Sequence, residues 1–209
     1  MKAAGTIYVV DDVAVVRAST TSLLLARGDL EVREFVSGAA LLAVLDHLDP
    51  GCVILDLQRN GASGARGAAV MAALACRPRD FRTIVVTSDG DIGTAVEAFR
   101  AGAVDFFYRP CERRPLMEAI DRALHLLEHG KEPPHLLEQM RSAMARLDEA
   151  QSDLLRSLVR GLTNHEIAVL SGTDEPGVRM ARGRLLATLE APSLLAAVRM
   201  AMIVERAAA

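Results

Sequence analysis

Apolar runs of four or five residues, rich in β-branched and aromatic side chains, recur along the first part of the chain, and each stops on polar residues. Thr6-Ile7-Tyr8-Val9-Val10 stops at Asp11-Asp12, and Cys52-Val53-Ile54-Leu55 stops at Asp56. Thr83-Ile84-Val85-Val86 stops at Thr87-Ser88, and Asp105-Phe106-Phe107-Tyr108 stops at Arg109-Pro110. Such runs predict buried parallel strands. Glu31 to Val36 alternates and predicts an edge strand. The intervening segments carry apolar residues at helical spacing. They include Val16, Leu23, Leu24 and Ala26 before Gly28, and Leu41, Leu42, Val44, Leu45 and Leu48 between Ser37 and Pro50. Further on come Val70, Met71 and Leu74 before Pro78, then Ile92, Val96 and Phe99, then Leu116, Ile120, Leu124 and Leu127. A five-fold strand–helix alternation argues for a doubly wound parallel sheet. In open sheets of this kind the strand ends form the site. Here those ends bring three carboxylates, a hydroxyl and a cation to one edge, a set suited to a divalent metal and a phosphoryl group.

Beyond Gly130-Lys131-Glu132-Pro133-Pro134 the pattern is wholly helical. A helical piece from His135 to Arg146 precedes a helix over Glu149 to Val159, which Gly161 ends. Thr163-Asn164-His165-Glu166 is a capping box, a hydroxyl followed three residues later by a carboxylate. It opens a short helix through Leu170. Ser171-Gly172-Thr173 makes a tight turn, and Asp174 caps a second helix with Pro176 in its first turn. Ser193 starts a last helix with Leu194, Leu195, Val198 and Met202. Short helix, tight turn and second helix form a helix-turn-helix pattern. The predicted domains are residues 1–128, a linker with helical extension at 129–145, and 146–209.

Composition narrows the partners. The chain has 209 residues and a net charge of −3, so no global basic field points to nucleic acid. Between residues 136 and 209 nine cations face nine anions, and any DNA contact must be local. Arg179, Arg182 and Arg184 supply such a cluster on one helix. Lys2 and Lys131 are the only lysines among 24 basic residues. Cys52, Cys76 and Cys111 have no metal-type spacing and are expected as reduced thiols packed in the core of a cytoplasmic protein. No signal-peptide pattern stands before the first strand, and no apolar run is long enough to span a bilayer. His47, His125, His129 and His135 have no partners at ligand spacing, so no zinc site is expected.

These residues resemble a two-component response regulator. Asp11-Asp12, Asp56, Gly61-Ala62-Ser63-Gly64, Thr87 and Ala101-Gly102-Ala103-Val104-Asp105-Phe106, with Pro110 after a cation, are similar to a receiver domain. That domain is a flavodoxin-like five-stranded parallel sheet. Gly161-Leu162-Thr163-Asn164-His165-Glu166-Ile167-Ala168, Val178-Arg179, Leu189 and Ser193-Leu194 resemble a LuxR-type helix-turn-helix. The pair resembles regulators of the FixJ/NarL type, which are not enzymes. The resemblance implies that a histidine kinase phosphorylates Asp56. It implies that Asp11, Asp12, Asp56 and the backbone carbonyl of Gln58 hold Mg²⁺. Thr87 would bind the phosphoryl group, and Phe106 would turn inward as Thr87 moves. A homodimer through the face around residues 91–125 would then present Arg179, Arg182, Arg184 and His165 to promoter DNA.

The chain also departs from the family pattern. Arg109 stands where the family carries Lys, and a planar fork is not equivalent to a point charge. Arg59-Asn60 replaces the usual Met-Pro. In the turn Ser171 and Thr173 replace apolar residues, Gly177 replaces Thr, and Asp174 and Glu175 add negative charge. The alternative expectation is a phosphorylation-independent regulator, or a protein-interaction adaptor built on a receiver-like dimerisation platform.

Overall fold

The computed structural model describes residues 4–57, 62–88 and 91–208, with the backbone alone over 62–66. The Gln58 carbonyl, Arg59, Asn60 and Gly61 lie outside the described residues, as do Asp89 and Gly90. Contacts divide the chain into two units, residues 1–90 with 100–131 and residues 91–99 with 132–209.

The first unit is built on five parallel strands, Gly5–Val10 (β1), Leu30–Phe35 (β2), Gly51–Leu55 (β3), Phe81–Thr87 (β4) and Ala103–Tyr108 (β5). Their order is β2-β1-β3-β4-β5. This is the flavodoxin-like order, with its switch point between β1 and β3. Every residue of β3 is buried, as its unbroken apolar run requires of a central strand. Alternate side chains face opposite layers. Ile7, Val9, Cys52, Ile54, Ile84 and Val86 share one core with Leu24 of Ala14–Leu25 (α1) and with Leu116, Ile120 and Ala123 of Arg113–His129 (α5). Burial of each large aliphatic side chain there contributes about 1.5–3 kcal/mol. Gly38–Leu42 (α2) packs on β2 and Ala62–Ala75 (α3) on β4. The helix predicted through Leu48 instead stops at Leu42, and a tight single turn, Leu45–His47, follows. That turn brings the chain back towards β3. There Gly51 approaches β1 so closely that a Cβ would lie 2.6 Å from the Thr6 carbonyl oxygen. Cys52 is buried as expected, but Cys76 is exposed and Cys111 half-buried. Cys76 falls just past the last turn of α3, outside the face that packs on the sheet.

Ile92–Arg100 (α4), which the sequence pattern assigns to the strand–helix alternation, groups mainly with the second unit. Within that unit Arg206 donates to the Phe99 carbonyl at 3.0 Å. The other helices are Pro134–Met144 (α6), Glu149–Val159 (α7), Asn164–Ser171 (α8), Glu175–Leu189 (α9) and Leu194–Arg206 (α10). Their caps carry much of the local specification. Asp148 and Gln151 form a reciprocal capping box on α7, and Thr163 and Glu166 form one on α8. Asp174 and Ser193 cap α9 and α10. Gly172 ends α8 at φ +64°, which makes the tight turn into α9. Leu154, Leu158, Ile167, Val178, Leu185, Leu189 and Val198 form the buried centre of these helices.

Candidate functional site

Strand register places the acids. Val10 pairs with Leu55, so the next residues, Asp11 and Asp56, emerge side by side. The Asp56 amide donates to the Val10 carbonyl at 3.0 Å, which holds the two strand ends together. Oxygens of Asp11, Asp12 and Asp56 all lie within 4.8 Å of one another. Three negative charges at that spacing repel strongly, and burial strengthens the repulsion. Asp11 is buried, Asp12 is exposed, and the Asp56 side chain is only 4% exposed.

Arg109 supplies the opposing charge. Its Nη2 donates to Asp11 Oδ2 at 2.6 Å, and its Nη1 lies 3.1 Å from Asp56 Oδ2. One guanidinium thus spans carboxylates from two strands while its side chain is 19% exposed. Arg109 reaches this position because it follows Tyr108, the register partner of Thr87, and its amide donates to the Thr87 carbonyl at 2.8 Å. The other oxygen of Asp11, Oδ1, accepts the Val13 amide at 2.9 Å at the start of α1. Arg17 donates to the Asp11 carbonyl at 2.8 Å and pairs with Glu34 at 3.2 Å, tying α1 and β2 to the same strand end.

Thr87 is fully buried, and its hydroxyl donates to the Leu57 carbonyl at 2.7 Å. Phe106, the register partner of Val85, is buried, with its ring edge-on to the half-exposed Tyr108 at 5.3 Å. Asp105, on the same strand, accepts from Arg122 at 3.0 Å and from the Phe106 amide at 2.9 Å. An all-oxygen set of hard ligands at Asp11, Asp12 and Asp56 fits Mg²⁺ in kind. Burial pushes the Cys52 thiol up to about 12 and raises that of Cys111 despite Arg109 nearby, which disfavours the thiolate at both.

In the helix-turn-helix, His165 is 76% exposed, with Nδ1 3.4 Å from Glu175 Oε1. Arg179 is 59% exposed and its Nη1 lies 4.0 Å from the other oxygen of the same Glu175. Arg184 is exposed. Arg182 differs from both, because it is half-buried and its Nη1 donates to Asn164 Oδ1, binding α9 to the first turn of α8. Burial lowers its pKa from the ordinary arginine value. The sequence pattern set the three arginines on one helix, but only side-chain placement separates the pinned one from the exposed two. The contacts of Asn164 and Arg17 are not legible in the sequence, because a polar residue in a first turn and an arginine on a helix carry no mark of their partners. The departures at Thr173 and Gly177 are a matched pair. A Cβ at position 177 would lie 2.6 Å from Thr173 Oγ1 and 2.9 Å from Asp174 Oδ1, whereas the Gly177 amide donates to Asp174.

Comparison with known proteins agrees with this geometry. The response regulator receiver domain model matches residues 7–121. The transcriptional regulatory protein FixJ of Azorhizobium caulinodans is 32% identical, covering 94% of this chain and 92% of that protein. FixJ of Rhizobium meliloti is also 32% identical, covering 94% and 95%. The crystal structure of full-length FixJ from B. japonicum superposes with a TM-score of 0.54 at 29% identity, covering 98% of this chain and 99% of that one. Nothing in these relatives favours an adaptor or a phosphorylation-independent protein. The sheet order, the acid-rich strand ends and the end-to-end similarity place this chain in the response-regulator family, among the FixJ-like transcriptional regulators.

Proposed function

We propose that Asp56 accepts a phosphoryl group from a histidine kinase and that this modification controls promoter binding by the helix-turn-helix. The convergence of Asp11, Asp12, Asp56, Thr87 and Arg109 on one sheet edge carries this reading. In the transfer a carboxylate oxygen of Asp56 attacks phosphorus. The phosphorus–nitrogen bond of the donor phosphohistidine breaks, and its electron pair leaves with the imidazole. Asp11, Asp12, Asp56 and the Gln58 carbonyl would hold Mg²⁺, which neutralises charge on the phosphoryl oxygens. The Thr87 hydroxyl leaves the Leu57 carbonyl for a phosphoryl oxygen, and the buried Phe106 fills the space behind it. Arg109, already on Asp56, pairs with the incoming charge.

The modified receiver, residues 1–128, dimerises through the face around residues 91–125. Two DNA-binding domains, residues 146–209, then meet a two-fold site. Exposed Arg179, Arg184 and His165 contact DNA, and Arg182 sets the position of the helix that carries them. The protein acts in the cytoplasm. Incubation with acetyl phosphate and Mg²⁺ tests the first step by intact mass. A gain of one phosphoryl group is expected in the natural protein and not in Asp56→Asn; an equal gain in Asp56→Asn overturns the assignment.

A further inference from the structure

We infer that Arg109 is an internal competitor of the divalent cation, so that Mg²⁺ enters only as the guanidinium gives up Asp11. This rests on the reading of the acidic cluster as the metal site. Both oxygens of Asp11 already carry a donor, the Val13 amide at 2.9 Å on Oδ1 and Arg109 Nη2 at 2.6 Å on Oδ2. The second arm of the same fork lies 3.1 Å from Asp56 Oδ2. A planar guanidinium holds two acceptors at once because its nitrogens diverge at a fixed angle, whereas a lysine ammonium is one compact charge. Arg109 therefore offsets the charge of two of the three acids. A divalent cation that binds Asp11 must displace one of the two donors already on that carboxylate, and the cationic guanidinium is the one it repels. The fork can swing off Asp11 and keep Asp56, because its two arms are separate nitrogens. Metal loading is thus an exchange at Asp11, and Arg109 sets the Mg²⁺ concentration at which the site becomes competent.

The charge-conserving variant tests this. Mg²⁺ binding to the full-length protein is measured by calorimetry for the natural chain, Arg109→Lys, Arg109→Gln and Asp56→Asn. The exchange predicts that Arg109→Lys binds Mg²⁺ several-fold more tightly at unchanged net charge. Arg109→Gln should bind about tenfold more tightly, as expected for loss of one charge-assisted hydrogen bond. Without metal, both variants melt lower than the natural chain, and Mg²⁺ raises their melting temperatures more. Equal affinity in the natural protein and Arg109→Lys, lost in Asp56→Asn, overturns the exchange and leaves the metal site standing. Absence of Asp56-dependent binding in all four proteins overturns both the exchange and the metal site.

Discussion

Glu166 shows how a single residue can be read through to a measurement. Its carboxylate accepts the Thr163 amide at 2.8 Å and the Thr163 hydroxyl at 2.8 Å. The amide is the larger influence, and together they hold the carboxyl below its ordinary 4.5. A carboxyl depressed in the folded state stabilises the fold above its unfolded pKa, and that contribution disappears as pH falls through the folded one. A side-chain NMR titration is expected to place the Glu166 midpoint below 4.5. In Thr163→Ala the midpoint returns only part of the way, because the amide remains, and loss of the N-cap costs about 1 kcal/mol. Arg182 yields a second residue-scale expectation. Arg182→Ala removes the bond to Asn164 and lowers the melting temperature of the helical unit. Arg184→Ala, on an exposed side chain, leaves it unchanged. Equal melting temperatures would contradict the positioning role.

At the level of elements, β5 and α5 are joined by a buried ion pair. Arg122 donates to the Val104 carbonyl and to Asp105, and the other Asp105 oxygen accepts the Phe106 amide. Removing only the cation strands a buried carboxylate, so Arg122→Ala is expected to cost about 3–5 kcal/mol in urea unfolding. Asp105→Asn, which removes charge but keeps shape, should cost less; the reverse order would contradict the pairing. The α9 helix carries its own test. Arg179→Ala is expected to weaken promoter affinity about tenfold or more if its side chain reaches a base edge. Glu175→Gln, which releases both Arg179 and His165 from a shared carboxylate, should strengthen it. The elements themselves were largely legible in the sequence. β3 and β1 announced themselves because a central parallel strand must be apolar on both faces, and the helical caps did because Ser, Thr and Asp compete for free amides. The shortened α2, the exposed Cys76 and the grouping of α4 were not legible, since each depends on what packs against a helix. The site was half legible. Strand ends predicted which acids meet, but only the register and the reach of Arg109 show one fork lying across two of them.

At the level of the whole chain, two units share one sequence, and the acidic cluster with Arg109 lies in the first of them. Among the described residues no single helix is long and apolar enough to cross a membrane. The exposed apolar surface includes Val169, Leu170 and Met180 on α8 and α9, where polar residues ordinarily face solvent. The central claim is that modification of Asp56 changes the assembly of the chain. Light scattering on the full-length protein, before and after acetyl phosphate with Mg²⁺, tests it most directly. The account predicts a monomer mass before treatment and a doubled mass after it, with Asp56→Asn remaining at the monomer mass throughout. A natural protein that carries the phosphoryl group yet keeps the monomer mass, or an Asp56→Asn chain that doubles equally, would contradict it.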